Sequence, residues 1–569
     1  MPSSSFLHSI LLVSTLCFSG TLAGAESDFD WRKLHASKTL HWTPCYSAPL
    51  QCALLQVPMD YNAPQNEVTA SIAIVRYPST SPKSQYRGPL LFNPGGPGGS
   101  GVDAIVGAGA QFAMVFGEQF DVVGFDPRGV SYSTPTISFF KTEAERRFLI
   151  PSATNVLYSS FNASSSSLAD TYASMQLLGQ LAIANDPNGY LQHMSTDNIA
   201  RDMLSITEAF GFEKLQYWGV SYGSVLGATF ATLFPDKVGR LIIDGVEDMN
   251  AYYTANFTND MLDTDKSMDT FYSGCAQAGP QACAFHAPTA SQVAANLAAL
   301  TASIKAQPIA VLTPQSHGIL DYVFLRNAVL DALFDPYNSF AALAEGLAVL
   351  ASGNATLLYA QNEVPTFECD CTVPAPKFHE NNFEAYMAIA CGDAVPVNDT
   401  LAQLQQFYED GLKVSASFAD LLLTTRVLCA GYKIRREGKF TGPVGAKNTS
   451  FPLLLVGNTF DPVTPHANAV KTSLLFPGSA VLTQDSVGHT TLVATSDCTF
   501  SYYRAYFVNG TLPAPGTVCS VDAELFPSSD PTAANGTAKR TTESLDDIKI
   551  REAASRIGSV VRKVLRRAL

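Results

Sequence analysis

The chain has 569 residues, 46% of them hydrophobic and 15% charged, a globular composition that supplies a large core and excludes a disordered or fibrous class. A formal net charge of −14 and a pI of about 5.1 argue against nucleic acid as a partner. No stretch beyond the N-terminus approaches the roughly 18 clean apolar residues of a bilayer span, so stable membrane insertion is not expected.

Residues 1–25 read as a secretory signal. Phe6 to Phe18 is mostly apolar, and Ala23-Gly-Ala25 offers a small-residue cleavage site. The charged start of the usual signal is absent, leaving His8 and the α-amino group, and a buried N-terminal helix is the alternative. A secreted, extracellular protein is expected. Removing the signal takes Cys17 with it and leaves ten of the 11 cysteines, an even number. Local spacing suggests the pairs Cys45–Cys52, Cys275–Cys283 and Cys498–Cys519. It leaves Cys369, Cys371, Cys391 and Cys429 unassigned. Cys369 and Cys371 form a tight pair with no suitably placed histidine, so no metal is expected. Seven acceptor sequons, at Asn162, Asn256, Asn354, Asn398, Asn448, Asn509 and Asn535, agree with secretion.

Residues 26–245 read as the N-terminal part of an α/β core. Leu54–Val57 and Ser71–Tyr77 are early strands. Pro89–Asn93 is a buried strand running into the glycine-rich loop Pro94–Gly101. Phe120–Phe125 is the next strand and leads to Asp126-Pro-Arg-Gly129. Thr196 or Asp197 is placed to cap a helix ending at Phe210. A strand from Leu215 to Gly219, a small-residue helix after Ser221, and a strand at Val238–Asp244 follow. Short apolar strands alternating with helices predict a mostly parallel sheet covered on both faces. From 246 to 447 the rhythm changes to Ala-rich helical runs, read as an inserted, mainly helical cap. Strands resume in 448–526, with Phe451–Gly457 and Ala480–Thr483. Residues 527–569 read as a Ser/Pro/Ala/Asn linker and an amphipathic basic helix from Ser544, tethered to the core and separable from it. Lys539-Arg540 in that linker is a dibasic pair of the kind processing proteases cut.

Gly219-Val-Ser-Tyr-Gly223 stands between a strand and a helix, the context of a nucleophile elbow. The turn is crowded, and glycines two residues either side of Ser221 remove side chains that would collide. A near-match at Gly129–Ser133 fails at its last position. A serine nucleophile needs a base, an orienter for that base and donors for the oxyanion. Asp461 and His489 each follow a strand end, in the order Ser, Asp, His, and Asp485 is the rival orienter. Tyr222 supplies one backbone N–H for the oxyanion. The loop after Asn93 supplies the other, from Gly96 or, second, Gly95. A phosphate loop is the competing reading, but no Gly-Lys-Ser/Thr follows.

Asn93–Gly101, Phe125–Gly129, Gly219–Gly223, Asp244-Gly-Val246, Asn458–Pro465 and Gly488-His489 together resemble the tripeptidyl-aminopeptidase branch of the α/β-hydrolases, kin to prolyl aminopeptidases. Ala388–Asp393, Cys429, and Cys498 with Cys519 resemble that branch's C-terminal region. Prolyl aminopeptidases usually carry His at the head of the glycine loop, where this chain has Pro94. The resemblance implies an α/β-hydrolase fold, peptide substrates with a free N-terminus, no cofactor, and carboxylates near the cap that hold the substrate amine. Glu247 and Asp248 are the candidates, with Asp393 behind them. The expected function is a secreted serine exopeptidase acting through an acyl-enzyme. A carboxylesterase or amidase on small esters and a non-catalytic binding protein of the same fold are the alternatives.

Overall fold

Strands form where large apolar residues run without interruption, and the most deeply buried of them carry the site. The computed structural model describes residues 29–150, 159–314, 317–362, 381–527 and 545–568. The signal segment, Cys369, Cys371, Asn535 and the Lys539-Arg540 pair lie outside the described residues. In chain order the strands are β1 Thr43–Pro44, β2 Gln51–Pro58, β3 Thr69–Tyr77, β4 Pro89–Asn93, β5 Asp121–Phe125, β6 Leu215–Val220 and β7 Val238–Asp244. They continue with β8 Ile309–Leu312, β9 His317–Leu320, β10 Leu454–Phe460, β11 Ala480–Val487 and β12 Val518–Ser520.

Among the described residues ten of these form one sheet, ordered β1-β2-β3-β5-β4-β6-β7-β10-β11-β12. The β1–β2, β2–β3 and β3–β5 pairs are antiparallel, and every pair from β5 to β12 is parallel. β4 and β5 are buried at every position, as parallel strands covered on both faces must be. This is the α/β-hydrolase architecture. One face is covered by Thr196–Ala209 and Tyr222–Leu233, the other by Gly101–Phe116 and Asp497–Asn509.

The described residues between 246 and 447 divide between two cores. Phe271, Val293, Leu325, Leu333, Phe340 and Leu347 build a separate helical cluster, closed by the Cys275–Cys283 disulfide. Met387–Cys391 and Thr424–Gly431 instead join the main core and are tied together by Cys391–Cys429, a pairing that spacing left open. The Cys45–Cys52 and Cys498–Cys519 bonds are also present.

The C-terminal helix differs from expectation. Leu545–Ala568 is not a free appendage but part of the core. Ala553, Ala554, Ile557, Val560, Val561 and Leu565 are buried in the same cluster as Val102, Ile105 and Phe112 of the Gly101–Phe116 helix. Gly107 makes the approach possible, since a Cβ there would lie 2.7 Å from Val560 Cγ1. Two of its cations meet the protein's own acids. Arg551 pairs with Asp497 at 2.6 Å and Arg562 with Asp335 at 2.9 Å. The amphipathic pattern was legible; its partner, an Ala/Gly-rich helix more than 400 residues earlier, was not.

Candidate active site

The elbow follows from crowding at the end of β6. Ser221 sits at φ 57°, ψ −125°, a left-handed conformation that costs a non-glycine residue energy and persists only where its surroundings hold it. Ser221 N–H donates to Asp244 O of β7 at 2.9 Å, which anchors the turn to the sheet. A side chain on Gly219 would strike the Tyr217 hydroxyl and Gly223 O, and one on Gly223 would stand 3.0 Å from Asn93 O. The elbow helix Tyr222–Leu233 is buried over most of its length, and the serine lines a cleft that opens to solvent.

His489 lies two residues past β11 and Asp461 one residue past β10, and both are buried. His489 Nδ1 is 3.1 Å from each carboxylate oxygen of Asp461 and 3.1 Å from Thr464 Oγ1. Asp461 also accepts from Val463 N at 3.0 Å, Thr464 N at 2.9 Å, Thr464 Oγ1 at 2.7 Å and Thr490 N at 2.8 Å. Burial opposes its charge, but His489 and these donors outweigh burial and hold its carboxyl below the usual range. Burial likewise opposes a cation on His489, and Asp461 overcomes it, so the imidazole pKa is raised. With Nδ1 facing Asp461, His489 Nε2 is left without a hydrogen-bond partner on the same cleft as Ser221. Asp485 is exposed and accepts from Thr459 Oγ1 at 2.8 Å, away from the histidine.

The glycine loop after β4 folds over the elbow. A side chain on Gly95 would lie 2.8 Å from Ser221 Cβ and 3.3 Å from Tyr222 N. Gly95 N–H is already given to Asn93 Oδ1 at 3.0 Å. Gly96 lines the cleft.

The three predicted amine-binding acids separate. Glu247 lines the cleft, and burial pushes its carboxyl up to about 7, with the nearby His489 pulling the other way. Asp248 does not reach the cleft. It caps the helix Met249–Thr254 through Asn250 N at 3.0 Å and Ala251 N at 3.2 Å, and pairs with Lys471 Nζ at 2.7 Å. Asp393 is also spent on structure, accepting from Thr196 N and Tyr252 Oη, both at 2.9 Å. It thus serves the helix Thr196–Ala209, for which Thr196 or Asp197 was expected to be the cap. The second acid of the cleft is Asp260, which no local motif marks. Its Oδ1 accepts from Asn468 Nδ2 at 2.7 Å, whereas its Oδ2 is buried with no hydrogen-bond partner. Burial, then the charges of Glu247 and Asp248, raise the Asp260 pKa well above the ordinary value.

Comparison with known proteins agrees with the fold. Residues 88–306 match the family described as alpha/beta hydrolase fold, and residues 415–519 match that described as TAP-like protein. Serine protease Hip1 of Mycobacterium tuberculosis is 28% identical over 513 residues, covering 84% of this chain and 91% of that protein. A tripeptidyl aminopeptidase of Streptomyces lividans is 27% identical over 519 residues, covering 88% of each. Carboxylesterase B of Mycobacterium tuberculosis is 27% identical over 494 residues, covering 83% of this chain and 86% of that one.

Proposed function

We propose that this chain, a serine hydrolase of the α/β-hydrolase fold, is an aminopeptidase that cleaves short pieces from free peptide N-termini. The observation that carries the reading is the unpartnered, buried Asp260 Oδ2 beside Glu247, on the same cleft as Ser221 and His489. Two desolvated acids invite a cation, and an α-ammonium group satisfies both. With the amine held there, the scissile carbonyl lies over Ser221. Ser221 Oγ attacks the carbonyl carbon and His489 Nε2 takes the hydroxyl proton, while Asp461 stabilises the imidazolium. The oxyanion is received by the N–H groups of Tyr222 and Gly96. His489 then protonates the leaving amine, the C–N bond breaks, and water repeats the sequence to release the acyl group.

The tripeptidyl aminopeptidase and serine protease among the relatives support a peptide substrate. The carboxylesterase relative and the apolar cleft residues Phe257, Met261 and Leu422 favour ester hydrolysis as the second reading. The four disulfides among the described residues agree with export, as do the six described sequon asparagines, all of them exposed. Profiling the purified protein on aminoacyl-, dipeptidyl- and tripeptidyl-anilides beside short acyl esters tests the reading. Faster turnover of one free-amine anilide class supports it; turnover confined to esters overturns it.

A further inference from the structure

We propose that Arg562, on the C-terminal helix, is a positioning residue for His489. It clamps the Phe334–Tyr337 corner of the cap to the loop that carries the histidine. The inference rests on the reading of His489 as the catalytic base.

The histidine loop is held from two sides. From the cap, Phe334 O accepts His489 N–H at 3.1 Å, and the Phe334 ring meets the imidazole edge-on at 5.3 Å. Tyr337 Oη accepts Val487 N–H at 3.3 Å. Gly488, at φ 104°, packs so close to Pro336 that a Cβ would lie 2.5 Å from its Cδ. On the far side the chain turns through Thr491–Val493 onto the C-terminal helix. There a Cβ on Gly558 would collide with Leu492 O, so the helix backbone rests directly on that carbonyl.

Arg562 joins the two sides. Its Nη1 donates to Leu492 O at 2.6 Å and its Nε pairs with Asp335 Oδ2 at 2.9 Å. Asp335 is held in turn, accepting from Asn338 Nδ2 at 2.8 Å. One planar guanidinium thus fixes the distance between the residue after Phe334 and the residue three after His489. Both groups it bonds are largely withdrawn from water, where charge-assisted hydrogen bonds are strong. Lysine cannot replace it, because a single ammonium lacks the rigid fork that serves two acceptors in different directions. Without this link fewer contacts hold the cap corner to the histidine loop, those of Phe334, Pro336 and Tyr337, and His489 Nε2 has more freedom to move relative to Ser221. Substrate amine binding, which belongs to Glu247 and Asp260, is left in place.

The test uses the full-length protein with Arg562→Ala, Arg562→Lys and, as a control, Arg551→Ala. Arg551 ties the same helix to Asp497 at 2.6 Å and lies 3.9 Å from Asp522. Four quantities are measured: thermal midpoint, kcat and KM on a free-amine anilide, and the rate at which a fluorophosphonate labels Ser221. Both Arg562 variants should lose roughly 10–100-fold in kcat and in labelling rate, the cost of a misplaced catalytic group, with KM little changed. Arg551→Ala should keep both rates even if its midpoint falls as far. Should Arg562→Ala fail to fold, Arg562→Lys, which retains the charge, carries the comparison. Wild-type rates in the Arg562 variants overturn the proposal, as does a loss in Arg551→Ala that tracks its midpoint equally. If the wild type is not labelled at Ser221, the serine-hydrolase reading fails and the clamp with it. If it is labelled but ignores the free amine, the aminopeptidase reading fails alone, and the labelling rates still decide the clamp.

Discussion

In the proposed mechanism Ser221, His489 and Asp461 act as a unit, so single losses are not additive. Ser221→Ala should abolish fluorophosphonate labelling. His489→Ala should reduce turnover by a comparable factor, roughly 10⁴–10⁶, with the fold intact by circular dichroism. The acids of the cleft act on binding. Glu247→Gln or Asp260→Asn should raise KM for free-amine peptides roughly 10–100-fold, from about 1.5–3 kcal/mol for a hydrogen bond to a charged group. KM for neutral esters should stay near wild type. The pH dependence separates the two roles. Glu247, pushed up to about 7 by burial, loses its charge as pH falls through that value, so kcat/KM for a free-amine peptide falls with it. His489, raised by Asp461 in spite of burial, must also be unprotonated, and it adds its own acid-side loss for every substrate. A neutral ester reports the His489 limb alone. Asp260, raised by burial and by the charges of Glu247 and Asp248, adds to the peptide limb in the same direction, so the acid limbs for peptide and ester should coincide in Glu247→Gln/Asp260→Asn. The convergence of Ser221, Asp461 and His489 was legible because the turn and the strand ends that place them leave marks in the chain. Asp260 left none. It reaches the cleft only through the packing of Asn256–Met261 against Asn468, and the more visible Asp248 was consumed as a helix cap.

At the scale of elements, periodicity gave the strands that carry the site but not the partner of the last helix. The apolar stripe around Ile557 reads equally as a membrane-facing or a core-facing surface until the glycine-bearing face of Gly101–Phe116 is placed beside it. The consequence is testable. Ile557→Ala should cost about 2–5 kcal/mol, the range for deleting a buried branched side chain, and lower the thermal midpoint accordingly. Gly558→Ala should be worse than its size suggests, because its Cβ has no space against Leu492 O. A protein ending at Ser528 should be less stable and less active than the full chain, read by thermal melting and anilide hydrolysis. Full activity and an unchanged midpoint would return the helix to the separable status its sequence suggested.

At the scale of the molecule, the sheet presents the carboxyl ends of β4, β6, β10 and β11 to one cleft, and the loops beyond them carry the proposed oxyanion donors, nucleophile, acid and base. The residues after β7 close that cleft from above and bring the two carboxylates. The division of labour leads to one prediction: chemistry belongs to the sheet, choice of substrate to the cap. It is tested most directly by comparing kcat/KM for one peptide anilide with a free and with an acetylated N-terminus, in the wild type and in Glu247→Gln/Asp260→Asn. The wild type should strongly prefer the free amine, and the double variant should lose that preference while still hydrolysing a neutral ester. Equal rates on free and acetylated peptide in the wild type, or a preference that survives in the double variant, would contradict the account.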